Sequence, residues 1–178
     1  MPERESRRPE AAAGAGRARV GAWFALAAAL VVADRLSKWL ILAIFAPGEV
    51  REVTAYFNVV LVFNKGAAFS FLAGASGWQT PLFAAVAIAA AVIVSVLLVR
   101  AAGSPLFKLG LALILGGAIG NLWDRLQYGQ VVDFLDVHAF GWHWPAFNVA
   151  DAGISVGAAL LIIDSFLIRH EPERSAQG

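Results

Sequence analysis

The chain has 178 residues, 59% hydrophobic and 15% charged, whereas a soluble domain carries about 25% charge, so the composition is that of a membrane protein without room for a separate soluble domain. A net charge of +1 argues against nucleic acid as a partner. The absence of cysteine excludes disulfides, thiolate nucleophiles, Cys-ligated zinc and lipidation of the chain on cysteine.

Residues 1–19 hold Arg4, Arg7, Arg8, Arg17 and Arg19 among Ala, Gly, Pro and Glu, and are expected to form a disordered basic leader. The apolar run that follows is too long for the core of a signal peptide and ends in charge rather than at a small-residue cleavage site. It is read as a retained first membrane helix over 20–45, interrupted by Asp34, Arg35 and Lys38. Segment 50–63, VREVTAYFNVVLVF, is β-branched and aromatic but too short to span; it predicts a small sheet within an outer segment 46–79. A second helix over 80–99 has no charge, a length that matches about 30 Å of hydrocarbon. A third is expected over 106–125, with Lys108 snorkelling near its start. A fourth covers 144–168, with Pro145 tolerated in its first turn, Trp142 and Trp144 as interfacial anchors, and a tail at 169–178. The expected fold is therefore an all-α integral membrane domain over 20–168, with four transmembrane helices and a small extracytoplasmic β-element between the first two.

Lys and Arg crowd the leader, the 100–108 connection and the tail, so the positive-inside rule places both termini in the cytoplasm. The 46–79 and 126–143 connections then face outward.

Two carboxylates stand out on that outer side: Asp133 in VVDFLDV (131–137) and Asp151 in FNVAD (147–151). A carboxylate near hydrocarbon depth is costly and marks a functional site by default. Facing each other, the two would repel, one would stay protonated, and the pair would supply a general acid and a general base, the equipment of an aspartic protease. The competing reading of Asp151 is an acid favoured by a helix N-terminus.

Other polar groups gather around this pair. Asp34 and Lys38 are spaced to pair on one helix face, a reading that holds geometry rather than reacts. Asn64 stands beside Gly66 in FNKGAAFS (63–70), readable equally as a strand-to-loop turn or as a site. In GGAIGNLWDR (116–125), Gly116 and Gly120 allow close helix approach; Asn121 and Arg125 share a face, and Asp124 is expected to pair with Arg125 or a headgroup. Asn148, Asp151 and Ser155 form a polar stripe. Asp164 reads as structural, Asp136 as solvated, and His138 and His143 as surface residues without metal-site spacing. A transporter would spread polar groups through the full bilayer depth, unlike the apolar second helix here, and an assembly partner would leave the aspartates unexplained.

These blocks in this order (DRLSKWL, FNKGAAFS, GGAIGNLWDRL with VVDFLDV, and PAFNVADAGISVG) resemble the lipoprotein signal peptidases, or type II signal peptidases, of bacterial cytoplasmic membranes, over about residues 20–168. The resemblance implies a four-helix aspartic endopeptidase of the inner membrane that removes the signal peptide of prolipoproteins immediately before a diacylglyceryl-modified cysteine. It assigns catalysis to Asp133 and Asp151, and support of the pair or of substrate to Asp34, Lys38, Asn64, Gly66, Asn121, Arg125 and Asn148. It further implies inhibition by the cyclic depsipeptide globomycin, no metal or cofactor, and a monomer with membrane lipid around it. The outer segment 46–79 is expected to cover the site as a mobile lid.

Overall fold

The computed structural model describes residues 7–66 and 78–175, with side-chain environments for 20–66 and 78–167. Four helices make up its body: α1 (Arg7–Ile44), α2 (Gln79–Arg100), α3 (Pro105–Tyr128) and α4 (Val149–Ser175). α1 thus includes much of the stretch expected to be an unstructured leader.

α3 is central because its surface is small. A Cβ on Gly116 would lie 2.7 Å from the Ala27 carbonyl oxygen of α1, and one on Gly117 would lie 2.3 Å from the Ala150 oxygen of α4. Only bare backbone admits both neighbours at this range. Ala27, Val94, Leu98, Leu111 and Leu115 fill the space where α1, α2 and α3 meet.

The ends of α3 are capped locally. Ser104 Oγ accepts the Phe107 N–H at 3.0 Å, and Gly129 closes the helix at φ +71°, a left-handed turn that glycine adopts without strain. Lys108 Nζ donates to the Leu98 and Ala101 oxygens at 2.9 and 2.6 Å, satisfying the open carbonyl end of α2.

Among the described residues three helices are long and apolar enough to cross a membrane: Gln79–Arg100, Pro105–Tyr128 and Val149–Leu167. α1, interrupted by Asp34, Arg35 and Lys38, is not among them. α2 turns Val86, Ile88, Val92 and Ile93 outward, an apolar surface suited to lipid rather than water.

The β-element is larger than the sequence predicts. β1 (Val50–Thr54) and β2 (Phe57–Asn64) form a hairpin within the segment expected to be a small sheet, but β3 (Val131–Ala139) and β4 (Trp142–His143) join it in an antiparallel sheet ordered β1-β2-β3-β4. The 126–143 connection is therefore largely strand. Its alternation was masked by Asp133 and Asp136, whose carboxylates find partners instead of water. Leu61, Val132 and Phe134 pack under Ile41 and Phe45 at the end of α1, so the sheet is seated on the helix bundle. The register slips by one residue between Val59 and Val62 of β2, opposite Leu135 and Asp133, a bulge that re-aims neighbouring side chains.

The start of α4 is also corrected, from Trp144 to Val149. Phe147 is held extended: its N–H donates to Leu135 O at 3.0 Å, and its oxygen accepts from Phe134 N and Leu135 N at 3.0 and 2.8 Å. Pro145 thus lies in an extended segment and Asn148 becomes the residue before the helix.

Candidate active site

The backbone pairing of Leu135 with Phe147 delivers Asn148 to Asp133. Asn148 Nδ2 donates to Asp133 Oδ1 at 2.7 Å, while Asn64, last residue of β2, donates to Asp133 Oδ2 at 3.0 Å. Asp133 is 1% exposed. Asn64 is itself oriented by Gly66, whose N–H donates to Asn64 Oδ1 at 2.7 Å. Gly66 adopts φ +97°, and a Cβ there would lie 2.3 Å from the Phe83 ring, so both conformation and space demand glycine.

Asp151 sits in the first turn of α4. Its N–H donates to Asn148 Oδ1 at 2.9 Å, and its Oδ2 accepts the Asn148 N–H at 3.3 Å. This reciprocal arrangement is a capping box with an aspartate at its third helical position. Both sequence readings of Asp151 are thus present in one residue: it caps the helix and it meets the other polar groups. Asp151 Oδ1 accepts from Asn121 Nδ2 at 2.7 Å, and Asn121 Oδ1 accepts from Asn148 Nδ2 at 3.1 Å. Asn148 and Asn121 therefore join Asp133 to Asp151 in one closed set of bonds. Ser155, expected on the same stripe, is exposed.

The electrostatics follow from this packing. Burial, and next the charge of Asp151, push the Asp133 carboxyl up to about 7 against the lowering effect of the Asn64 and Asn148 bonds. Asp151 is half-buried. Two coupled carboxylates, one buried and one reachable, can share a proton and so act on a water and a carbonyl together.

Asp34 and Lys38 pair at 2.8 Å, both fully buried. Lys38 also lies 2.8 Å from Asp124 and 3.3 Å from Asn121 Oδ1. Asp124, expected beside Arg125 or a headgroup, instead turns inward to Lys38 and Arg35. It is fully buried, and its spacing of three from Asn121 on one helix face was the signal that could have found it. Arg125 donates to the Asn121 oxygen at 3.1 Å and lies 5.5 Å over the Phe83 ring, at the edge of the site.

One other expectation is corrected. Asp136 is buried rather than solvated; it accepts from Asn58 at 2.8 Å and meets His143 Nδ1 at 2.9 Å. Burial raises its carboxyl, but the His143 and Asn58 bonds outweigh that and hold it below the usual range. His138 stacks on His143 at 4.7 Å, and among the described residues no His, Asp or Glu cluster is arranged to hold a metal. Asp164, structural as read, accepts from Ser104 at the start of α3. Residues 67–77 of the expected lid lie outside the described residues.

Comparison with known proteins bears on the same region. Residues 26–167 match the family model described as signal peptidase (SPase) II. The chain is 57% identical to a lipoprotein signal peptidase of Ralstonia nicotianae over 145 residues, covering 82% of this chain and 84% of the relative. It is 56% identical to one from Janthinobacterium sp. over 142 residues, covering 80% and 86%. Among solved structures it resembles a bacterial membrane enzyme determined by the in meso method, with TM-score 0.76 and 29% identity over 85% of this chain and 91% of the other.

Proposed function

Because the chain belongs to the signal peptidase II family, and is therefore a membrane protease of lipoprotein processing, we propose that it cleaves prolipoproteins immediately before a diacylglyceryl-modified cysteine, using Asp133 and Asp151 as an aspartic pair. The observation that carries this reading is the closed set of bonds through Asn148 and Asn121 that binds the two carboxylates into one unit.

In this mechanism a water lies between the carboxylates. Ionised Asp151 takes a proton from it as the oxygen attacks the scissile carbonyl, and protonated Asp133 gives its proton to the carbonyl oxygen, leaving a tetrahedral diol. Collapse of the diol breaks the C–N bond. The proton on Asp151 passes to the departing amine, a diol hydroxyl returns its proton to Asp133, and the pair is reset. Asn148 and Asn121 hold the carboxylates with N–H donors throughout, and Asn64 with Gly66 supports the buried one. Arg125, at the rim, is placed to meet a carbonyl or lipid oxygen of the substrate.

The same reading sets the protein in the bacterial inner membrane as a monomer. α1 crosses together with α2, α3 and α4, and its Asp34 and Lys38 are buried against α3 and α4 rather than turned to lipid. Both termini are cytoplasmic, following the Lys and Arg distribution. The sheet and the carboxylate pair lie at the outer face, where a diacylglyceryl-anchored substrate arrives laterally and water is within reach.

The test is a gel-shift assay with purified enzyme and a prolipoprotein, with and without the diacylglyceryl group. Cleavage of the modified form alone, leaving the lipidated cysteine as the new N-terminus and blocked by globomycin, is expected. Equal cleavage of the unmodified precursor, or cleavage elsewhere, contradicts the proposal.

A further inference from the structure

Behind the carboxylate pair lies a symmetrical arrangement of buried charge. The residue preceding each aspartate has its backbone N–H held by another carboxylate. Ala150 N, before Asp151, donates to Asp34 Oδ1 at 3.0 Å. Val132 N, before Asp133, donates to Asp124 Oδ2 at 3.1 Å. Both holding carboxylates meet the same ammonium, Lys38 Nζ, each at 2.8 Å. Asp34, Lys38 and Asp124 are all 0% exposed.

The path from α4 to β3 therefore runs Ala150, Asp34, Lys38, Asp124, Val132, and its middle is one ammonium group. An ammonium offers three donors from a single nitrogen, so both carboxylates are drawn to a common point and the backbones they hold are drawn with them. Gly120 gives the device room: a Cβ there would lie 2.8 Å from Asp34 Oδ2. Arg35 bonds Asp124 Oδ1 from the outer side and balances the second carboxylate, leaving two acids against two bases. The N–H of Ala150 lies in the first turn of α4 and has no partner within the helix; a solvent contact or a side chain of α4 would satisfy it without linking it to β3.

We propose that Asp124 and Lys38 are positioning residues that, with Asp34, set the separation of Asp133 and Asp151. They act through the backbone of Val132 and Ala150, and Lys38 also meets Asn121 Oδ1 at 3.3 Å. A misplacement of reacting groups by about 1 Å can cost about 100-fold in rate, so the effect falls on kcat rather than on binding.

The experiment measures kcat, KM and thermal unfolding for Asp124→Asn, Lys38→Met and the double variant. Asparagine keeps an acceptor for Val132 N–H but loses the charge that Lys38 draws in. For folded Asp124→Asn we expect kcat down about 100-fold with KM within about twofold. The double variant should fall no further than Lys38→Met alone, because both changes break the same arm. A wild-type kcat in folded Asp124→Asn, or independent multiplicative losses in the double variant, overturns the proposal. If Asp124→Asn does not fold, Arg35→Gln takes its place, with kcat expected about tenfold lower and Arg35→Lys restoring it; wild-type kcat in Arg35→Gln then overturns it. The inference rests on the aspartic-pair reading, and the two fail separately: activity in Asp133→Asn removes the pair, whereas full kcat in Asp124→Asn removes only the positioning role.

Discussion

Asn148 stands 2.7 Å from Asp133 through its side-chain nitrogen, and the same side chain caps the helix that begins one residue later. A single asparagine thus links the strand that carries one aspartate to the helix that carries the other. Asn148→Ala should lose the cap, at about 0.5–2 kcal/mol, and leave Asp133 without its closest donor. Activity is expected to fall more than the stability change accounts for. Unfolding temperature and cleavage rate measured on the same preparation check this, and a rate that merely tracks the folded fraction would contradict it.

Asp133 titrates at about 7 against an ordinary 3.8, so the folded protein retains a proton that the unfolded chain has released. Its contribution to stability is complete below the unfolded value and is lost as pH rises toward the folded one. Wild-type protein should therefore be less stable at pH 8 than at pH 5, and Asp133→Asn should shrink that difference. Because the mechanism needs that proton, kcat/KM should decline on the alkaline side as pH rises through about 7. A rate that is flat from pH 6 to about 9 would remove Asp133 as the acid.

Lys38→Ala leaves Asp34 and Asp124 buried without their shared cation. Stranding buried charge costs about 3–5 kcal/mol, so unfolding in detergent should move to much lower temperature. Replacing Asp34, Lys38 and Asp124 together with neutral residues should be milder than Lys38→Ala. A triple variant less stable than the single one would show that the ion pairs themselves, and not relief of stranded charge, govern stability.

Gly117→Ala places a methyl 2.3 Å from the Ala150 oxygen, a backbone atom beside Asp151. α4 must move away, at an overpacking cost of about 1–3 kcal/mol, and Asp151 moves with it. Cleavage should drop together with stability, whereas Gly129→Ala, where a Cβ meets nothing, should cost only the strain of its left-handed turn. Full activity in Gly117→Ala would show that the first turn of α4 tolerates displacement.

Much of this was legible in the sequence. The apolar runs mark three membrane-crossing helices within a few residues of their ends, and DRLSKWL, GNLWDR and FNVAD identify the polar groups that meet. What stayed hidden depends on long-range pairing. Strand β3 reads as a loop because Asp133 and Asp136 interrupt its apolar pattern, and only pairing with β2 and with Phe147 makes it a strand. The start of α4 reads five residues early because Pro145 and Trp144 suit a helix entry, while the Leu135–Phe147 pairing keeps them extended. Asp124 reads as a surface ion because its neighbour in sequence is Arg125. Its partners, Arg35 and Lys38, are on α1, far away along the chain, and no local spacing reveals them.

The most direct test of the account is the cleavage rate of Asp133→Asn and of Asp151→Asn, each shown to be folded in detergent. An amide keeps the size and much of the hydrogen bonding of the carboxyl but cannot pass a proton. Each single substitution should abolish processing of a diacylglyceryl-modified prolipoprotein while leaving globomycin-sensitive wild-type activity in the parallel sample. A near-wild-type rate in either variant would contradict the aspartic pair.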